Sequence, residues 1–110
     1  MVSDECFAIT IDLRKVYDNL QRAILQTYER PELDKMWIDN VEHNIRTVEA
    51  RGQITKDVQD GWLVRTQTAL RRFTDDKNAR QFDATVTDLA DEIYMKIIDI
   101  LVDCEKKRCE

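Results

Sequence analysis

The chain has 110 residues, of which 43% are hydrophobic and 35% are charged, and its formal net charge at pH 7 is −5. This apolar fraction is too high for a disordered chain, and the length fits one domain. Two Gly and one Pro are too few for the turns that a β-rich or loop-rich fold requires. We therefore predict a single all-α domain over residues 1–110.

The first predicted helix runs from about Asp4 to Arg30, with Ser3 as its N-cap. Apolar residues recur in it at intervals of three and four, which is the spacing of one buried helix face. That face holds Cys6, Ile9, Leu13, Val16, Tyr17, Leu20, Ile24 and Tyr28. Phe7 and Ile11 lie off this face, and the alternation of Phe7, Ile9 and Ile11 leaves a short strand open as an alternative.

Punctuating residues separate the second and third predicted helices. Pro31 ends the first helix and opens the second, which runs to about Arg51 and is followed by Gly52 in a left-handed position. Thr55 is the predicted N-cap of the third helix. The buried faces are Trp37, Ile38, Val41, Ile45 and Val48 in the second helix, and Val58, Trp62, Thr66, Ala69, Leu70 and Phe73 in the third.

The fourth predicted helix begins at Thr74, Asp75 and Asp76 and runs to about Lys107. The β-branched residues at 85–87 leave a break open, which gives five helices instead of four. The inward face holds Phe82, Val86, Leu89, Ala90, Ile93, Ile97, Ile100, Leu101 and Cys104. Short connections then predict a single antiparallel bundle of four, possibly five, helices with a long C-terminal helix.

The fourth helix carries more apolar surface than one core can cover. Tyr94, Ile98 and Val102 form a second row at i, i+4 and i+8, outside the inward face. In an antiparallel bundle this row meets the start of the first helix, because both long helices extend past the turn at Gly52. The predicted interface comprises Phe7, Ile11, Tyr94, Ile98 and Val102, most simply in a homodimer. The alternative is that the fourth helix breaks near 85–87 and folds its second row inside one chain.

Charge is unevenly distributed along the chain. Residues 1–45 carry −4, residues 46–82 carry +3 and residues 83–110 carry −4. A basic middle segment is expected either to pair with the acidic helices beside it or to bind an anionic partner.

A basic ridge on the third helix offers a second function. Arg65, Thr68 and Arg72 lie along one side of that helix, where arginines and a hydroxyl can follow phosphates. Trp62 and Phe73 belong to its buried face, so neither aromatic ring is left to stack on bases. The alternative function is therefore a small helical subunit of a nucleic-acid-handling complex.

An acidic row on the fourth helix offers a third function. Asp88, Glu92, Asp99 and Asp103 have helical spacing, and carboxylates so spaced bind divalent metals in bundle cores. The segment Asp-Leu-Ala-Asp-Glu-Ile at 88–93 resembles the second acidic helix of all-α nucleotide pyrophosphatases of the MazG type. That resemblance implies a Mg²⁺-dependent nucleotide hydrolase, but the Glu-x-x-Glu helix that such enzymes require is absent from the sequence. Because the acidic row lies opposite the core face, we predict no metal, no cofactor and no catalytic residues.

The chain has three cysteines, Cys6, Cys104 and Cys109, which help to predict whether the protein resides in a reducing or an oxidising compartment. Residues 1–5 lack the basic character of a secretion signal, and the apolar stretch 97–102 is too short to span a bilayer. We therefore predict a reduced, cytoplasmic protein that does not enter membranes, with Cys6 and Cys104 serving as small apolar side chains.

These patterns together predict a small, acidic, non-enzymatic protein that binds another protein or itself. Its role is predicted to be that of an adaptor, a regulator or an inhibitor. In size class alone it resembles the compact helical inhibitors that phages direct at host proteins.

Overall fold

The computed structural model describes residues 4–29 and 35–109, so Ser3, Arg30 and Pro31 lie outside the described residues. Five α-helices follow in order, namely α1 Asp4–Ala8, α2 Ile11–Glu29, α3 Lys35–Ala50, α4 Lys56–Asp76 and α5 Ala79–Cys109. The described ranges contain no β-strand, and residues 7–11 include the end of α1, a turn and the start of α2. The predicted all-α fold is confirmed, and the strand alternative is wrong.

The helices form a closed bundle with α2 and α4 at opposite corners. α2 packs against α3 and α5, and α4 packs against the same two neighbours. One apolar core runs through the centre. Its largest fully buried apolar side chains are Leu13, Leu20, Ile45, Leu89, Ile93, Val16, Val41, Val48 and Val86. None of the described helices combines the length and apolar character that a membrane crossing requires.

The first predicted helix is broken, which differs from the sequence prediction. The backbone N–H of Thr10 donates to the Phe7 carbonyl oxygen at 3.1 Å, and its hydroxyl donates to the same oxygen at 2.9 Å. This three-residue turn replaces the four-residue helical bond, and Thr10 is fully buried while Ile9 turns outward and is 40% exposed. The fifth helix of the bundle therefore comes from this break.

The turn between α3 and α4 forms as predicted. Gly52 has φ 76°, and the N–H groups of Gly52 and Gln53 donate back to Glu49 and Val48, which closes the end of α3. The hydroxyl of Thr55 accepts a hydrogen bond from the Val58 backbone at 3.2 Å and caps α4.

The start of the last helix is later than predicted. Residues 74–76 form the final turn of α4, where the Thr74 hydroxyl donates to the Leu70 carbonyl at 2.9 Å. Lys77 then adopts a left-handed conformation with φ 54°, and Asn78 accepts from the Gln81 backbone to cap α5. α5 is continuous through residues 85–87, so the predicted alternative of a break there is wrong.

Candidate functional site

A groove of about 640 Å³ lies between α2 and α5, near the end of the bundle where α1 packs on α5. We call it the α2–α5 groove. Its lining residues are Phe7 from α1, then Ile11, Arg14, Lys15, Tyr17 and Asp18 from α2, and Tyr94, Ile97, Ile98 and Leu101 from α5.

Contacts on either side of this groove fix its position along the bundle. On one side the rings of Tyr17 and Tyr94 face each other with centroids 5.9 Å apart. On the other side Cys6 of α1 is joined to Cys104 of α5 by a disulfide, with a Cα–Cα distance of 5.8 Å. The groove is lined by five residues of α2, between positions 11 and 18, and by four residues of α5, between positions 94 and 101. Each of these spans corresponds to about 10 Å of helix, or roughly two turns.

The disulfide corrects the prediction of reduced cysteines. The sequence pattern correctly placed Cys6 and Cys104 on inward faces, and the bundle brings the start of the first helix and the end of the last to one end. The bond between Cys6 and Cys104 was not predicted, because the buried faces of the first and last helices were assigned separately. The signal that could have identified it is that an antiparallel bundle brings the start of the first helix and the end of the last helix together. The cytoplasmic location rested partly on reduced thiols and loses that support, because persistent disulfides are typical of oxidising compartments.

Among the described residues, the disulfide and several polar contacts hold the short helix α1, and two of these contacts are the bonds from Thr10 to the Phe7 carbonyl. Cys6 is its one buried residue. Arg14 donates to the Phe7 carbonyl oxygen at 3.0 Å, and its guanidinium lies 5.3 Å from the centroid of the Phe7 ring. The side chain of Gln53 donates to the carbonyl oxygen of Ile9 just after α1. Phe7 is therefore positioned through its neighbour Cys6 and through the bonds that Thr10 and Arg14 donate to its carbonyl.

Four of the five predicted interface residues line the α2–α5 groove, namely Phe7, Ile11, Tyr94 and Ile98. Phe7 and Ile11 are 40% and 42% exposed, Tyr94 is 51% exposed, and Ile98 is half-buried. Val102 is 49% exposed and does not line the groove, but it continues the row one turn beyond Ile98. The five residues thus lie in the half of the bundle that contains α1 and the C-terminal half of α5, and the role of this surface remains a prediction.

The charged side chains at the groove were not singled out from the sequence. Arg14 and Lys15 are exposed on α2, and within residues 4–29 and 35–109 neither forms an ion pair. Asp18 is also exposed on α2 and lines the groove beside them. The α2 wall of the groove therefore carries charges of both signs, whereas its α5 wall consists of Tyr94, Ile97, Ile98 and Leu101.

The residues of the basic ridge are placed in unlike surroundings. Arg65 is engaged by α5, because its Nη1 donates to Glu92 Oε2 at 2.8 Å. The indole N–H of Trp62 donates to the same carboxylate oxygen. Thr68 is half-buried and Arg72 is exposed. Part of the basic charge of α4 is thus offset by the acidic helix beside it.

The acidic row on α5 is divided among different partners. Glu92 accepts from Arg65 and Trp62, and Asp103 lies 3.2 Å from Lys107 within α5. In the part of the chain that the structure describes, no three His, Cys, Asp or Glu side chains are grouped so as to hold a metal ion.

No protein-family model, curated protein or solved structure matches this chain. Its function is therefore argued from the geometry of its own residues.

Proposed function

We propose that this protein acts by binding protein rather than by catalysis, and that the α2–α5 groove is the binding surface. The observation that carries the proposal is the apolar groove itself, about two helical turns long, with half-exposed aromatic and aliphatic side chains on both walls. A groove of this shape accommodates an amphipathic helix with anchors at i, i+4 and i+7 or i+8.

The helix that we assign to the groove is α5 of a second copy. The α5 helix carries the required row, in which Tyr94, Ile98 and Val102 follow one another at intervals of four. When two copies exchange this row across a two-fold axis, each α5 lies against both walls of the other groove, and the contact closes on itself as a dimer.

Sedimentation equilibrium of the oxidised chain tests this proposal. We expect a mass of two chains of 13.0 kDa. Ile98→Asp is expected to give single chains, because it places an unpaired charge in the apolar seam. Val64→Asp is the matched control, since Val64 is 60% exposed on α4, which does not line the groove, and its replacement should leave the dimer intact.

A single-chain mass for the unmodified protein at high micromolar concentration, or equal loss in the Val64→Asp control, contradicts the proposal. A dimer that survives Ile98→Asp also contradicts it, because that dimer uses another surface.

We extend the proposal to the role of the protein in the cell. A non-enzymatic dimer of this size serves as an adaptor or regulator, and we keep the cytoplasm as its proposed location. In that compartment the disulfide at the end of the groove is exposed to reduction.

A further inference from the structure

One covalent bond, the disulfide between Cys6 and Cys104, joins the short helix α1 to α5. α1 has five residues, which is far below the length at which a helix is stable alone. Cys6 is its one buried residue, and the side chain of Phe7 lines the α2–α5 groove from the next position. The disulfide therefore fixes the residue that precedes Phe7 in the chain.

We propose that Cys6–Cys104 is a thiol–disulfide exchange site that holds α1 as the end wall of the groove and releases it on reduction. The proposed release of α1 is independent of the proposed function, whereas its effect on dimerisation rests on that function. The reactant is a dithiol, either a small molecule or a protein with two neighbouring thiols.

The exchange is a balanced two-electron step. A thiolate of the dithiol attacks the sulfur of Cys104, because Cys104 is a half-buried residue whereas Cys6 is fully buried. The Cys6–Cys104 bond breaks, and the Cys6 sulfur leaves as a thiolate and takes up a proton. The second thiol of the reactant then attacks the mixed disulfide, so that Cys104 also becomes a thiol. The reactant ends as a disulfide, having given up two electrons and two protons.

Release of α1 removes one apolar wall without removing the core of the bundle. The buried cluster that spans α2 to α5 includes no residue of α1. After reduction, the two bonds that the buried Thr10 donates to the Phe7 carbonyl remain within the turn that follows α1. The hydrogen bond from Arg14 to the same carbonyl and the bond from Gln53 to Ile9 also remain, and both are solvent-exposed. Exposed hydrogen bonds of this kind contribute little against the chain entropy that α1 regains. The groove then loses Phe7, while Tyr94 and Ile98 stay on the intact α5.

The experiment compares oxidised and dithiothreitol-reduced protein in a Cys109→Ala background, which removes the third thiol. Hydrogen exchange of the backbone amides of residues 4–10 reports the release of α1 in any oligomeric state. Sedimentation equilibrium reports the dimer. We expect reduction to accelerate exchange in residues 4–10 at least tenfold and to weaken the dimer about tenfold, as loss of one anchoring aromatic does.

Two variants separate the disulfide from other effects of the reductant. The double variant Cys6→Ser/Cys104→Ser should behave as the reduced protein in both buffers and show no response to dithiothreitol. Phe7→Ala should weaken the oxidised dimer to a similar degree while residues 4–10 stay protected, because the disulfide is intact.

Hydrogen exchange tests the release of α1, and sedimentation tests the effect of that release on the dimer. Unchanged exchange of residues 4–10 on reduction overturns the release of α1, whatever the oligomeric state. Faster exchange with an unchanged dimer overturns the control of the groove and leaves the proposed dimer standing. If the oxidised protein is a single chain, the proposed function fails, and with it the effect on dimerisation, while the exchange data still decide whether the disulfide holds α1.

Discussion

Asp12 and Arg51 form an ion pair that joins the first turn of α2 to the turn after α3. Arg51 Nη1 lies 2.6 Å from Asp12 Oδ2, and the two side chains are unequally buried, with 9% of Asp12 and 61% of Arg51 exposed. The side chain of Gln53 donates to the carbonyl oxygen of Ile9 a few residues away. These contacts fasten the α3–α4 turn beside the break between α1 and α2, and hence beside the groove.

Because Asp12 and Arg51 are unequally buried, we expect their replacements to lower the free energy of unfolding by different amounts. Arg51→Gln leaves a nearly buried carboxylate without its cation and is expected to lower the free energy of unfolding by about 1–3 kcal/mol. Asp12→Asn leaves an exposed arginine in water, so its cost is expected to stay below about 1 kcal/mol. Urea unfolding at one fixed protein concentration measures both. If the asparagine variant is the less stable of the two, burial of the carboxylate is not what sets the cost.

The two glycines predict effects of opposite sign for the same substitution. No atom lies within 4 Å of the position that an added Cβ takes at either glycine, so crowding does not decide the outcome. Gly52 has φ 76°, and Gly52→Ala is expected to cost about 1 kcal/mol because a side chain disfavours the left-handed conformation. Gly61 lies inside α4, and Gly61→Ala is expected to stabilise by about 0.8 kcal/mol. Thermal unfolding of the two variants side by side checks this, and equal signs would falsify the backbone explanation.

A hydrogen bond between α2 and α5 predicts a shifted tyrosine titration. The hydroxyl of Tyr28 donates to Asp83 Oδ2 at 2.8 Å, and this bond to a carboxylate raises the pKa of Tyr28 above its ordinary value. Only the protonated hydroxyl can donate, so the contribution of this bond is present at neutral pH. It is lost as the pH rises through the raised pKa of the folded state.

Ultraviolet absorbance of tyrosinate measures this titration, and the difference between the unmodified chain and Tyr28→Phe isolates Tyr28 from the other two tyrosines. Asp83→Asn should bring the pKa of Tyr28 back towards its ordinary value. An unchanged titration in Asp83→Asn shows that the carboxylate is not the cause.

Periodicity and capping residues were enough to predict much of the bundle. The apolar intervals identify the buried faces of α2 to α5, and Gly52 and Thr55 mark the turn between α3 and α4 because their chemistry acts locally. The meeting of the chain ends follows from the antiparallel order, and the disulfide demonstrates it.

The break between α1 and α2 has no comparable signal, because no Gly or Pro stands there and the apolar interval continues through it. The turn depends on a hydrogen bond from the Thr10 hydroxyl to the Phe7 carbonyl and on the burial of Thr10. Burial is set by the packing of the whole bundle, so the local sequence does not reveal it. Tyr28 was predicted to face the core and is 53% exposed, because its hydroxyl reaches Asp83. Residues 74–76 look like a helix start in isolation, but the left-handed Lys77 and the cap at Asn78 place the boundary after them.

One carboxylate oxygen, Glu92 Oε2, accepts from both Trp62 and Arg65 and thereby ties α5 to α4. Trp62 is 2% exposed, so its indole N–H has little access to water if the acceptor is removed. Glu92→Ala is therefore expected to lower the free energy of unfolding by about 1–3 kcal/mol, whereas Glu92→Gln keeps an acceptor and should cost about half as much. The indole N–H resonance of Trp62 should move upfield in the alanine variant, and that of Trp37 should stay in place as the internal control.

The Glu92→Ala variant also frees Arg65 on the basic ridge, so the affinity of this variant for single-stranded nucleic acid tests the alternative function. Binding that appears or strengthens with a steep salt dependence favours a nucleic-acid contact at Arg65 and Arg72, and unchanged behaviour favours a purely structural pairing of the two helices.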